Sequence, residues 1–344
     1  MRRRTLLRLW CLALLCCLAA AMEAQSIQAR LYRTIPNPAG IPRQLAFSPD
    51  GRLLATCSTD GAVKLWRVSD GTLTRTLTHP AGVTSVAFTR DGRWLVSGGY
   101  DHTVRIWRLS DGARVRTLPA HDGTVWAVAV SPDGRRIASG GEDHVVKVWR
   151  LSDGALLQTL RGHTLNIWSV EYSADGKHLA SGSFDHTIRI WRADTGVLER
   201  TLTGHEEAVV RIAFSPDSRL LASGSDDSSV RLWRVADGAL VMKLTGGSEH
   251  VYSVAFSPDG QWLASGSRES GALGTLWHHL FGRKDGGEHG TTIRLWRVRD
   301  GKLVQGLAAH ADDVMYVDFS PDGKWLASSS EDHTFRLWAL TIRK

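Results

Sequence analysis

Ser181 to Trp191 reads SGSFDHTIRIW, and the chain carries six other versions of it, some close copies and some worn. The segment opens on small residues, passes through an Asp-His turn and ends in an alternating strand, TIRIW, closed by Trp. Aligning the tryptophans places the copies at Trp66, Trp107, Trp149, Trp191, Trp233, Trp296 and Trp338, spaced 41, 42, 42, 42, 63 and 42 residues apart. A constant period of that size signals a repeat architecture, in which each unit covers the apolar face of its neighbour.

Each unit divides into four short strands. An apolar or alternating stretch such as VTSVAF comes first, then a turn of the SPDG type, then a second strand such as WLASGS. The third strand ends on the Trp, and an Asp-Gly turn leads into a fourth, such as LLQTL. Ser48-Pro49-Asp50-Gly51 and the copies starting at Ser131, Ser257 and Ser320 put Pro and Gly where a tight turn needs a fixed and then a positive φ; Thr89, Ser173 and Ser215 start looser versions. This first turn occurs seven times and the second, from Asp70-Gly71 to Asp300-Gly301, only six. The chain stops six residues after Trp338, while ARLYRTI near the start looks like a fourth strand without its first three. The two ends complete one another, and a ring closed in that way leaves no unfinished sheet.

These units resemble the WD-repeat β-propeller family, over residues 28 to about 340. The resemblance implies an all-β fold, a seven-bladed β-propeller of four-stranded antiparallel blades, closed by the N-terminal strand pairing with blade 7. One departure is plain: the Asp that usually follows the Trp is replaced by Arg67, Arg108, Arg150, Arg192, Arg234, Arg297 and finally Ala339. The resemblance also implies a structural tetrad of His, Ser or Thr, Asp and Trp in each blade. The matching sets are His79, Ser97, Asp101 and Trp107; His121, Ser139, Asp143 and Trp149; His163, Ser181, Asp185 and Trp191; His205, Ser223, Asp227 and Trp233; and His310, Ser328, Asp332 and Trp338. Unit one has Thr56, Asp60 and Trp66 but Pro38 at the His position, and unit six has Gly247 and Gly290 at the His and Asp positions. Those two blades are expected to be less tightly pinned.

Ser, His and Asp together also invite a nucleophilic interpretation, in which His activates the hydroxyl and Asp orients the His. A catalyst needs one such set in a cleft with an oxyanion site, whereas five sets around a ring satisfy buried polar groups and fix strand spacing. The segment is therefore expected to be a building block. No phosphate-cradling loop with its lysine, no GxSxG elbow and no paired cysteines for zinc accompany it. No catalytic residue, metal or cofactor is expected.

Function is sought in what the repeat does not require. The resemblance implies partner contacts at one rim of the ring, from positions near the start of strand one and just before the tetrad Asp. Those positions hold Tyr100, Trp126, Trp168, Phe184, Tyr252 and Met315, with Arg43, Asn166, Glu142, Asp226, His250 and Glu331 among them. Large apolar side chains around one rim suit a protein or peptide partner; the alternative is that some of them merely fill the funnel. The spacing of 63 marks an insertion in blade 6, about 269–289, where Leu276, Trp277, Leu280 and Phe281 would share one side of a short helix. That side either binds or folds back to shield the blade. His278, His279, Glu288 and His289 have no spacing that enforces a metal geometry.

The first 24 residues stand outside the repeat. Arg2, Arg3, Arg4 and Arg8 precede an apolar run from Leu9 to Met22, with small residues at Ala19, Ala21 and Ala24. This pattern is that of a signal peptide, with a weak twin-arginine flavour at Arg3-Arg4; the run is short of the ~20 residues a spanning helix needs. The expectation is a leader over 1–24, a propeller over 25–344 and an exported, periplasmic or extracellular protein with no membrane span once mature. Cys11, Cys16 and Cys17 lie in the leader, which leaves Cys57 alone and no intramolecular disulfide possible. The leader carries a net +3 of the chain's +7, and the remaining +4 is spread evenly by the repeat, which disfavours nucleic acid as the partner. The function expected is a non-enzymatic protein or peptide interaction scaffold; the alternative is an enzyme or small-ligand-binding propeller with its site in the central funnel.

Overall fold

The computed structural model describes residues 26–37, 39–246, 250–267 and 291–343. The leader over 1–24, Pro38, Gly247, Gly290 and the blade-six insertion with Trp277 and Phe281 lie outside the described residues. Among the described residues the chain forms 28 strands, β1 to β28 in chain order, arranged as seven antiparallel sheets of four. The ring is a seven-bladed β-propeller, as the repeat predicts. The first strand of each unit lies nearest the axis: β2 (Pro42–Phe47), β6 (Val83–Phe88), β10 (Val125–Val130), β14 (Ile167–Tyr172), β18 (Val209–Phe214), β22 (Val251–Phe256) and β26 (Val314–Phe319). Each inner strand touches the next, and β2 touches both β6 and β26, so the circle closes.

Closure is made by β1 (Ser26–Pro36), which pairs antiparallel with β28 (Thr334–Arg343) from Ser26 opposite Arg343 to Pro36 opposite Thr334. The first described strand thereby becomes the outer strand of the last blade. Its inward residues Ile27, Ala29 and Ile35 are buried, while Leu31 and Tyr32, beside the bulge in this pairing, are exposed.

The blades stack face to face through alternating apolar residues. Between blades four and five, Ile188 and Ile190 of β16 (Ile188–Arg192) meet Val209, Ile212, Phe214 and Leu221 of the next unit. Burying each such side chain is worth about 1.5–3 kcal/mol. Gly182, in the middle of SGS, is required by this packing: a Cβ there would stand 3.0 Å from Val209 Cγ1 and 3.2 Å from Ile212 Cγ2.

The turns explain three sequence features. In the SPDG turn Ser48 Oγ donates to Asp50 Oδ1 at 2.6 Å, and Asp50 Oδ1 accepts the Arg52 amide at 3.0 Å. The versions that look looser in sequence keep the same 2.6 Å bond, from Thr89 to Asp91, Ser173 to Asp175 and Ser215 to Asp217. What sets the turn is the hydroxyl and the Asp, and the Pro is dispensable. The Arg that replaces the usual Asp after each Trp pairs with the Asp of the following turn: Arg67 with Asp70, Arg150 with Asp153 and Arg234 with Asp237, each at 2.7 Å. Arg108, Arg192 and Arg297 do the same with Asp111, Asp194 and Asp300. Unit seven has no such turn, because β1 supplies its fourth strand, and it carries Ala339 instead.

The Asp-His step of SGSFDHTIRIW is also a turn device. His186 sits at φ 68°, as His102, His144 and His333 sit near 60–65°, while unit one uses Gly61 at φ 80°. The left-handed region costs a residue with a Cβ about 1–2 kcal/mol, part of which glycine returns as unfolded-chain entropy. His186→Gly is therefore expected to raise stability by about 0.5–1 kcal/mol, read as a higher urea midpoint at unchanged slope.

Candidate functional site: tetrads, crossbar and an aromatic cup

Of the five sets of polar residues, four close completely. His163 Nδ1 donates to Asp185 at 2.8 Å, Ser181 Oγ lies 2.8 Å from His163 Nε2, and the Trp191 indole donates to Ser181 Oγ at 3.0 Å. Asp185 being an acceptor puts the proton on Nδ1, so Ser181 donates to Nε2 and accepts from Trp191. The sets at His121, His205 and His310 repeat this pattern. Ser181 is 0% exposed and its hydroxyl is fully engaged, so it presents no nucleophile to a substrate.

The fifth set is loosened by a neighbour that sequence reasoning overlooked. His79 holds Ser97 at 2.7 Å, but its Nδ1 is 3.4 Å from Asp101 and makes no hydrogen bond. Arg105, two residues before Trp107, takes Asp101 instead at 2.8 Å. The same register holds Lys64, Lys147, Arg231 and Arg336, each within 4 Å of its own tetrad Asp. Blade one, which has no His in its set, is held differently: buried Asn37 donates to Ser58 Oγ at 3.0 Å and accepts from Lys64 at 2.5 Å, Lys64 reaches Asp60 at 2.7 Å, and Trp66 donates to Thr56 at 2.9 Å. In blade six the Trp296 indole still reaches Ser265 at 2.9 Å.

At one end of the ring the inner strands share a second feature. In every one of them the ladder slips at the second residue, between Pro42 and Gln44, Val83 and Ser85, Val125 and Ala127, Ile167 and Ser169, Val209 and Arg211, Val251 and Ser253, and Val314 and Tyr316. A bulge of this kind re-aims the side chain it releases. The seven released residues are Arg43, Thr84, Trp126, Trp168, Val210, Tyr252 and Met315, and all seven line one cup of about 130 Å³. Trp126 and Trp168 stack at 4.9 Å with an 18° angle between rings. Tyr100 meets Trp126 edge-on at 5.8 Å and Phe184 meets Trp168 at 4.8 Å, giving a continuous run of four aromatics over blades two to four. Tyr252 stands apart from this run, stacked on His250 at 6.1 Å. Asn166 lies half-buried beside the run, its carbonyl accepting the Phe184 amide at 3.0 Å.

The cup has a floor. Arg211 of blade five reaches Tyr316 of blade seven, its guanidinium 4.6 Å from the ring centre and hydrogen-bonded to Tyr316 Oη, which Gln44 of blade one also reaches at 2.9 Å. Beneath this crossbar runs a tunnel of about 400 Å³ walled by all seven inner strands. One position on that wall is Ala46, Ala87, Ala129, Ala213 and Ala255 in five blades but Glu171 and Asp318 in the other two. Burial pushes both carboxyl groups up to about 7, against the pull of Arg211 and of the backbone amides of Phe214 and Phe47. Sequence reasoning missed these acids, although SVEY and YVDF beside SVAF carry the signal.

Comparison with known proteins agrees with this geometry. The family description "WD domain, G-beta repeat" matches residues 30–67, 71–108, 112–150 and 301–339, and "IFT122 first beta-propeller" matches 142–269. The chain belongs to the WD-repeat β-propeller family. Among curated proteins it is similar to WD repeat domain-containing protein 83 of Danio rerio, 41% identical over 54 residues that make up 16% of this chain and 17% of that one. It is also similar to nuclear distribution protein nudF of Aspergillus terreus, 40% identical over 55 residues, 16% of this chain and 12% of the relative. Each match covers less than a fifth of the relative's length. WD-repeat propellers generally serve as protein-interaction scaffolds. Among the described residues no helix is long and apolar enough to cross a membrane.

Two pH effects follow from the buried groups of this WD-repeat ring. Burial pushes His79 down to about 4, and burial also lowers His205 and His310. The unfolded chain therefore takes up these protons first: the contribution of His79 is complete above about pH 6.5 and is lost as pH falls toward 4. His79→Gln is expected to flatten the decline in urea stability between pH 6.5 and 4.5. Glu171 has the opposite sign, since its raised value makes the folded state the better proton acceptor, and its contribution is lost as pH rises through 7. Glu171→Gln is expected to gain roughly 1–3 kcal/mol at pH 8 relative to its effect at pH 5, measured the same way.

Proposed function

We propose that the protein is an exported, non-enzymatic scaffold that holds a protein or peptide partner at the mouth of its propeller. The observation that carries this is the cup: seven equivalent bulges release seven side chains into one concavity, and four of them are Trp126, Trp168, Tyr252 and Met315. Flanked by Tyr100 and Phe184, these rings give a rigid apolar surface of the kind that dominates interface energetics. The tetrads lend support from below, because they fix the blades without using any rim residue.

Export is supported by the arginine-led apolar segment over 1–24 and by a propeller, residues 25–344, whose stability needs no disulfide, its only cysteine being the buried Cys57. The mass of the purified protein's N-terminus and its distribution between cell fractions test that part. A small-ligand site in the central funnel is the second reading, favoured by Glu171 and Asp318 on the tunnel wall. It requires a ligand whose binding is lost in Glu171→Gln or Asp318→Asn and kept when the rim is altered.

The rim itself is tested by selecting a displayed random-peptide library on the folded protein. Trp126→Ala with Trp168→Ala is expected to lower the affinity of the selected peptides at least tenfold, while stability falls only by the loss of half-buried ring contacts, about 0.5–1.5 kcal/mol per pair. Peptides that bind the double variant as tightly as the parent would place the binding surface elsewhere.

A further inference from the structure

The cup's chemistry is lopsided. Among the described residues its charged lining groups are Arg43 and Arg211, with no carboxylate beside them. Arg211 is committed to Tyr316 and faces the two buried acids below the crossbar. Arg43 is not committed: among the described residues its half-buried guanidinium has neither a hydrogen bond nor an ion pair, and its Nε is a buried donor without an acceptor. The indole Nε1 atoms of Trp126 and Trp168 and the Nε of Arg211 are buried donors without acceptors as well. A buried donor gains most from an acceptor brought to it, so this lining favours an acceptor-bearing, anionic group.

Size narrows the occupant further. An apolar cavity of about 150 Å³ accepts a benzene ring. At about 130 Å³ the cup matches one side chain of phenylalanine or leucine size. Arg43 lines the same small cup as Trp126, Trp168, Tyr252 and Met315, so an occupant of one-residue size is offered an anion partner and an apolar seat together. Among unmodified residues, only the last of a chain joins an apolar side chain and an anion.

Resting on the rim function above, we propose that the cup captures the C-terminal residue of a partner chain: an apolar side chain packs among Trp126, Trp168, Tyr252 and Met315, and its α-carboxylate pairs with Arg43. A charge-assisted bond of this kind is strong because it replaces an unpaired buried donor, and backbone or side-chain capture of a terminal carboxylate is a recurring mode of peptide recognition.

The experiment titrates three probes into the folded protein by calorimetry: N-acetyl-Gly-Ser-Phe with a free carboxylate, the same peptide as its C-terminal amide, and N-acetyl-Gly-Phe-Glu-Ser-amide, whose carboxylate is internal. The free acid is expected to bind about tenfold to a hundredfold more tightly than the amide. Arg43→Gln should erase that difference with its urea midpoint unchanged, Arg43→Lys should restore part of it, and Trp168→Ala should weaken acid and amide alike. Equal binding of acid and amide to the parent protein, or discrimination that survives Arg43→Gln, overturns the inference. Internal-acid binding as tight as that of the free acid overturns the C-terminal assignment in favour of an acidic side chain. If acid and amide bind equally and Trp168→Ala weakens both, the inference falls while the rim function stands. If no probe binds, the inference falls and the library selection alone decides the rim.

Discussion

Everything in this ring depends on its being closed. Each blade has two apolar faces and no core of its own, so Ile188 and Ile190 are dry only because Val209 and Ile212 of the next blade lie on them. A linear stack would leave two such faces wet at its ends. Pairing β1 with β28 removes both ends, and it commits residues at opposite termini to one sheet, Ser26 opposite Arg343. Long-range closure of this kind forms late and slowly in folding, because its entropic cost precedes most of its reward.

Polar groups then fix what apolar packing leaves loose. In four blades a complete His-Ser-Asp-Trp set pins the loop to the second and third strands, with the ring nitrogens and the serine hydroxyl all engaged, as at His163. Where the pattern weakens, basic neighbours enter it: Lys64 links Asn37 to Asp60 in blade one, and Arg105 binds Asp101 in blade two, leaving His79 Nδ1 unpaired. The Arg that follows the repeat Trp in the first six units works outside this network, on the solvent side, where a half-exposed ion pair adds little energy but favours one turn geometry. Because these tasks fall to other residues, the first turn of each inner strand is left unconstrained.

That freedom is spent on the cup. Seven bulges aim seven side chains at the axis, and three of the positions carry large rings. The crossbar of Arg211, Tyr316 and Gln44 separates this apolar mouth from a tunnel whose walls hold two acids. One chain thus places an anion-seeking, aromatic surface directly above an acidic, buried one. The low dielectric between them keeps Glu171 and Asp318 near their protonation threshold, since burial of a carboxylate favours its neutral form.

Much of the architecture was legible in the order of residues. The tryptophan period gave the number of units and the count of turns foretold a shared last blade, because both are local patterns repeated at constant distance; the tetrads came from the resemblance to the WD-repeat family, matched residue by residue. The rim positions were legible as positions: Trp126 and Trp168 stood at the start of strand one, where the other units place dissimilar residues. Their meeting was not, since a 42-residue separation becomes a 4.9 Å stack only once two blades are set side by side and a bulge turns both rings inward. Arg105 binding Asp101 beside an unpaired His79 Nδ1, Asn37 tying Ser58 to Lys64, and Arg211 bridging to Tyr316 belong to the same class. The repeat determined which strands exist and in what circle they lie; which side chains share the axis was decided in three dimensions, because only the closed ring brings residues from seven units within bonding distance.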